Sequence, residues 1–361
     1  VRKLVRELAE LTKKEDPTRL TTQANVMFVP DNDEYNYMTD IVGYNKYYGW
    51  YQGEAEDFGP WMDGFHAANP NVCLGISEYG AEGILQYHSD EPKVKDYTEE
   101  YHALYHEKVW KAFSERPYLW STYVWNMFDF GANIRDEGGV QGRNNKGLIT
   151  YDRKIKKDAF FMYKANWSDE KVLHITSKRY VDRADESIKV KIYTNCEEVT
   201  LYVNGTKVAT QTGEDNIVIF ENITLQPGLN EVKAVSGDLE DTAFFNKVEE
   251  ANPSYVLPES EAGGVVDNWF EMPEDIGEIE MEELEITDDV YSTRCTFGEL
   301  FANAETKAVL QKYLNGFSEE HPMFGMAEGM QIDMLASLSP EMFTKELMYL
   351  LNRDLTKIKK A

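Results

Sequence analysis

Long apolar runs are missing from these 361 residues. None reaches the roughly 18 consecutive apolar residues of a membrane-spanning helix. The opening Val1-Arg2-Lys3-Leu4-Val5-Arg6-Glu7-Leu8 has no apolar core of the secretory-signal type, so the chain reads as the middle of a protein. Positive charge is scarce: 37 Lys and Arg stand against 64 Asp and Glu, a net charge of −27. That balance repels phosphate backbones and anionic lipid surfaces, which excludes nucleic-acid and membrane-surface partners from the expectation. Cysteine is scarcer still. Cys73, Cys196 and Cys295 lie in three separate segments without metal-type spacing, so free, buried thiols are expected and nothing demands an oxidising compartment. Aromatic residues, by contrast, make up 13% of the chain and crowd into its first 170 positions. Their flat faces and polar tips suit a large core and also a sugar.

The hydrophobic period divides the chain. Residues 1–14 carry Leu4, Leu8 and Leu11 at helical spacing, and Asp16-Pro17 closes that helix. Strand candidates follow at Leu20–Val29, Ile41–Asn45, Val72–Ser77 and Leu119–Trp125, with helices near Phe58–Ala68 and Tyr97–Ser114 between them. Such alternation argues for a parallel sheet or half of a (β/α) barrel. From about Lys171 the period falls to two, and Asn204-Gly205 and Pro227-Gly228 mark tight turns, so a small β-sandwich is expected over 169–250. Residues 251–290 hold Pro253, Pro258 and Pro273 and an acidic run, the composition of a solvated linker. Helical spacing returns at Phe297–Leu314 and at Ser339–Leu355, where Ser339-Pro340-Glu341 is a helix start. A small helical bundle is therefore expected over 291–361. Its methionines, Met323, Met326, Met330, Met334, Met342 and Met348, read as adaptable core.

Chemistry gathers at the ends of the first four strand candidates: Asn25; Asn45, Tyr47 and Tyr48; Glu78 and Tyr79; Trp125, Asn126 and Asp129. In a (β/α) barrel those ends converge on one face. Glu78, in Ile76-Ser77-Glu78-Tyr79-Gly80, is the candidate nucleophile. A carboxylate among Tyr, Trp and Asn suits retaining glycoside hydrolysis. Two other groupings read as structural. His102 and His106 have zinc spacing, but Ala103 stands where a zincin motif needs Glu. Asp238, Glu240 and Asp241 read as a polar turn rather than a calcium site.

Four segments, Asn45-Lys46-Tyr47-Tyr48-Gly49-Trp50-Tyr51, Ile76 to Gly80, Val124-Trp125-Asn126-Met127-Phe128-Asp129-Phe130 and Asn144 to Lys154, resemble glycoside hydrolase family 2, the β-galactosidase and β-glucuronidase family. The resemblance covers about the first 170 residues, and the expected sandwich is similar to the immunoglobulin-like domain that follows the barrel in bacterial members. It implies that residues 1–168 are strands five to eight of a TIM barrel. Glu78 would be the nucleophile on strand seven, Tyr47 its hydrogen-bond donor, Trp125 an aromatic platform, and Asn45, Tyr51 and Asn126 neighbours of the bound sugar. The family's acid/base Glu follows an Asn, and no Asn-Glu pair precedes Glu78; Asn32-Asp33-Glu34 lies too late. Inactivity of the isolated chain is the consequence, with an N-terminal part of the same enzyme as the needed partner.

Asn144 and Lys146 match the Asn-x-Lys-Gly pattern by which family β-glucuronidases grip the sugar carboxylate. Residues 118–167 nevertheless look closer to members read as β-galactosidases, so β-galactosidase is the leading expectation and β-glucuronidase the alternative. A non-catalytic glycan-binding or assembly role is a second alternative. No cofactor is required, although relatives with extra C-terminal modules imply flavin mononucleotide at a remote site. Homo-oligomer formation through the terminal module and a cytoplasmic, bacterial setting complete the expectations.

Overall fold

The computed structural model describes residues 2–27, 29–258, 284, 286–314, 324–338 and 343–360. The chain divides into two compact units, 1–264 and 265–361.

The first unit opens with helix α1 (Arg2–Glu15). Its basic residues Arg2, Arg6 and Lys13 pair with Asp33, Glu34 and Asp40, while Leu4, Leu8 and Leu11 are half exposed. A four-stranded sheet follows, β1 (Thr22–Val26), β2 (Ile41–Asn45), β3 (Leu74–Tyr79) and β4 (Thr122–Val124). It runs in the order β1-β2-β3-β4 with every pair parallel, as the alternation predicts. Helices α2 (Phe58–Ala68), α3 (Glu99–Ser114) and α4 (Asp158–Trp167) accompany it. Val42, Tyr44, Leu74 and Ile76 point into the shared core with Phe58, Met62, Phe65, Tyr105 and Val109.

Two elements here escape sequence reading. Helix α4 is apolar and aromatic on several sides because it is buried on several sides, so no clean stripe marks it. The hairpin β5 (Phe130–Glu137) and β6 (Val140–Asn144) has positive φ at Gly138 and Gly139 in its turn, but its strands carry few β-branched residues. Cysteine placement also needs correcting. Cys295 is buried, but Cys196 is partly exposed and Cys73 exposed, the latter because it lies in the turn entering β3. His102 and His106 are buried on α3, and Asp241 accepts from Lys178 and from the Ile175 amide. Among the described residues no cluster of three or more His, Cys, Asp or Glu could hold a metal ion.

Residues 173–247 build two further sheets from β7 (Leu173–Ile175), β8 (Asp182–Arg183), β9 (Ser187–Thr194), β10 (Val199–Val203), β11 (Thr206–Gln211), β12 (Ile217–Thr224), β13 (Gly228–Ser236) and β14 (Leu239–Lys247). Their orders are β11-β10-β13-β14-β8 and β12-β9-β7. Asn204 and Gly205 take φ of 50° and 78° between β10 and β11, the left-handed pair a tight hairpin requires. Ile188, Val190, Ile192 and Val218 of one sheet share a core with Leu201, Val232, Ala234 and Phe245 of the other.

The second unit contains α5 (Phe297–Ala302), α6 (Ala304–Tyr313), α7 (Phe324–Ala327), α8 (Ile332–Leu338) and α9 (Lys345–Leu355). The helix expected over 297–314 is broken at Asn303, whose side chain accepts from the amides of Glu305 and Thr306 and so starts α6 afresh. Helix α9 starts at a Thr344 cap; the expected start at Ser339-Pro340-Glu341 lies outside the described residues. Most of the acidic linker, 259–283 and 285, lies outside them too, as do Met323 and Met342. Met330 and Met348 pack on the core of Phe297, Leu300, Leu310, Ile332, Leu347 and Leu351, whereas Met334 is exposed.

Candidate active site

The candidate residues meet because β2 and β3 run in parallel with a register shift at their ends, pairing Asn45 with Glu78. The Lys46 amide donates to the Glu78 carbonyl at 2.9 Å. Ser77 Oγ donates to Asn45 Oδ1 at 2.7 Å, and Tyr47 Oη donates to Glu78 Oε2 at 2.8 Å. Burial raises the Tyr47 phenol, and the adjacent Glu78 raises it further, so Tyr47 stays protonated and remains a donor to the carboxylate. Gly80 closes the turn behind Glu78. A Cβ there would lie 2.1 Å from the Trp125 carbonyl oxygen, so only glycine fits.

Strand β4 delivers Trp125, whose amide donates to the Tyr79 carbonyl at 2.8 Å and whose ring meets Phe130 edge-on at 5.8 Å. The Trp125–Asn126 peptide is cis. Asn126 is held from both sides by the 146–148 backbone, and its Oδ1 is buried without a hydrogen-bond partner. A buried acceptor left unpaired in a protein is costly and fits a site awaiting a donor such as a sugar hydroxyl.

Tyr51 links this centre to a charged corner. Its ring meets Tyr47 edge-on at 5.2 Å, and its hydroxyl accepts from Lys146 Nζ at 2.9 Å and from Arg135 at 3.1 Å. Both cations also reach Glu82 Oε1, at 2.9 and 3.0 Å. Glu82 and Lys146 are fully buried. Burial alone would raise the Glu82 carboxyl, but Lys146 and Arg135 hold it below its ordinary value. Burial likewise works against the Lys146 ammonium, and Glu82 outweighs it and raises Lys146. Glu137, buried beside Arg135, completes the set. Asn144 Oδ1 accepts from the Lys146 amide at 3.0 Å and shapes the turn that aims the lysine.

All eight candidates therefore gather along one line, Asn45, Glu78, Tyr47 and Tyr51 leading to Lys146 and Asn144, with Trp125 and Asn126 on the neighbouring strand end. Sequence reading missed Glu82, Arg135 and Glu137. Glu82 stands four residues after Glu78, and that proximity was the available signal. Arg135 and Glu137 sit on the unforeseen hairpin. Elsewhere, Glu34 is exposed and paired with Arg6 at 2.7 Å. The chain's Asn230-Glu231 pair lies in β13, where Asn230 bonds Gln226 and Gly228.

Residues 1–172 match the family model described as glycosyl hydrolases family 2, TIM barrel domain. Residues 1–172 belong to glycoside hydrolase family 2. Residues 185–240 match a domain of unknown function, DUF4982. A β-glucuronidase of Bacteroides fragilis is 37% identical over 239 residues, covering 64% of this chain and 34% of its own length. Among solved structures, an FMN-binding β-glucuronidase from Faecalibacterium prausnitzii L2-6 is 49% identical, with a TM-score of 0.69 over 70% of this chain and 39% of its own. A Bacteroides fragilis protein with a provisional β-galactosidase assignment is 36% identical, with a TM-score of 0.65 over 69% and 39%. The chain thus spans between a third and two fifths of the length of these relatives.

Proposed function

We propose that this chain is the nucleophile-bearing part of a retaining β-glucuronidase. The observation that carries the reading is the 2.8 Å bond from Tyr47 to Glu78 at the end of β3, in a domain of a family that cleaves glycosidic bonds. Glu78 attacks the anomeric carbon, the leaving-group oxygen departs with a proton from a second carboxylic acid, and water then releases the sugar from Glu78. Carboxyl chemistry of this kind needs no cofactor. Flavin mononucleotide is named for the Faecalibacterium relative, and no residue of this chain is assigned to it.

The relatives favour the glucuronide over the galactoside that led the sequence-based expectation, since the 37% identical Bacteroides fragilis relative and the 49% identical structure are both named β-glucuronidase. The charged corner supports them. Lys146 is a buried cation bonded to Tyr51 and Glu82, and we read it as the group that answers the sugar carboxylate. The galactoside reading retains the support of the Bacteroides fragilis structure.

A second carboxylate about 5 Å from Glu78 is required, and we propose that an upstream stretch of the same polypeptide supplies it. Supporting this, β1 and β4 are edge strands, and the exposed leucines of α1 give that stretch an apolar face to cover. We also read 173–247 as an immunoglobulin-like sandwich and 291–361 as a helical bundle available for oligomer contacts. Assays of the chain alone and extended upstream, on nitrophenyl β-glucuronide and β-galactoside, test the function. Turnover of glucuronide by the extended chain alone is expected. Turnover by the isolated chain, or a preference for galactoside, would overturn the proposal, and sugar binding without turnover in the extended chain would favour a glycan-binding role.

A further inference from the structure

Two phenols on one face of α3 grip the backbone just past each member of the Tyr47–Glu78 pair. Tyr101 and Tyr105 are four residues apart, hence neighbours on that helix face. Tyr101 Oη donates to the carbonyl of Gly49, two residues beyond Tyr47. Tyr105 Oη accepts from the amide of Gly80, two residues beyond Glu78, at 3.1 Å. Both rings are buried, Tyr105 fully, and burial raises both phenols, which keeps them protonated. The gripped positions are themselves confined. A Cβ on Gly49 would fall 2.7 Å from the Ala55 amide nitrogen, and one on Gly80 would fall 2.1 Å from the Trp125 carbonyl oxygen, so both positions are closely packed and admit only glycine. Helix α3 is in turn fixed at its start, where Thr98 caps it and Glu99 pairs with Arg179.

We infer that Tyr101 and Tyr105 are positioning residues, acting through the Tyr47–Glu78 hydrogen bond by holding the β2 and β3 ends in mutual register. Neither touches the reacting atoms, and each holds one catalytic segment to the same rigid helix. The inference rests on the reading of Glu78 as nucleophile, and it assigns roles to residues outside the four family-like segments.

The test uses Tyr105→Phe, Tyr101→Phe and Tyr47→Phe in the upstream-extended chain, assayed on nitrophenyl β-glucuronide, with Glu78→Gln as control. Tyr105→Phe should lower kcat about tenfold, the effect of one hydrogen bond, with KM nearly unchanged. Tyr105→Phe added to Tyr47→Phe should cost little more, because the bond through which Tyr105 acts is already gone. Tyr101→Phe should behave alike, and it decides the matter if the Tyr105 variant fails to fold. A fall in Tm with unchanged kcat, or losses that multiply fully with Tyr47→Phe, would overturn the inference. Activity surviving Glu78→Gln would instead overturn the nucleophile reading beneath it, so the two failures are distinguishable.

Discussion

The barrel half and the two sheets that follow it solve burial in opposite ways. Inside the sheets the core is mainly Ile, Val, Leu, Ala and Phe, a set that loses nothing by leaving water, with Arg183, His174 and Asn230 among the few buried polar side chains there. Within residues 1–172 the core is crowded with Tyr and Trp, and it also encloses Lys46, Glu82, Glu99, Asp129, Glu137, Lys146, Lys157 and Asp158. Charges are expensive to bury and pay back only when closely paired. Replacing such pairs with apolar residues often leaves stability unchanged or improved. Glu82, Glu137 and Lys146 gather in the corner around Arg135 and Tyr51, whereas Glu99 and Asp158 pair with Arg179 and His174 of the following segment. On the proposed reading, the sheets are support and the strand ends of the barrel half are where the chemistry would take place.

Substitutions can sharpen or break that contrast. The largest effect should come from Glu78→Gln, which removes the nucleophile while keeping its shape. Activity of the extended chain on aryl β-glucuronide should drop by about 10⁴-fold or more, with the thermal midpoint within a few degrees of the parent. Lys146→Met should come next. It strips Glu82 of a buried partner and should cost about 4 kcal/mol in a denaturant titration, while a Lys146→Met/Glu82→Leu double variant recovers most of that stability but not glucuronide turnover. Recovery of both would show the corner to be structural only. Leu201→Ala, in the sheet core, should cost about 3 kcal/mol of stability through its cavity, yet leave kcat/KM untouched at temperatures where the protein is folded. An effect on kcat would blur the division between support and site. Smallest is Tyr47→Phe, which deletes one hydrogen bond to a charged group. A loss of about 2 kcal/mol of transition-state stabilisation is expected, near 30-fold in kcat/KM.

Much of this was readable in the residues because alternation and strand-end chemistry are local signals. Ile41–Asn45 and Phe58–Ala68 run as expected, and Glu78 and Tyr47 meet as the family resemblance implies. What escaped was non-local. Arg135 and Glu137 matter because a hairpin brings them back to Tyr51, a closure no window along the chain displays. Helix α4 escaped for the complementary reason: buried on several sides, it offers no polar stripe to give a period. The break at Asn303 is a capping event within an otherwise helical pattern, and only the pairing of its side chain with two amides reveals it.

The claim on which the rest depends is that Glu78 is the nucleophile of a glucuronide-cleaving site. A glucuronate-configured aziridine, which opens on attack by a carboxylate and stays bound, tests it directly when incubated with the upstream-extended chain and mapped by peptide mass spectrometry. The label should sit on Glu78, should be absent from the Glu78→Gln variant, and should form far more slowly with the galactose-configured reagent. Labelling of another carboxylate, or equal labelling by the galactose-configured reagent, would contradict the account.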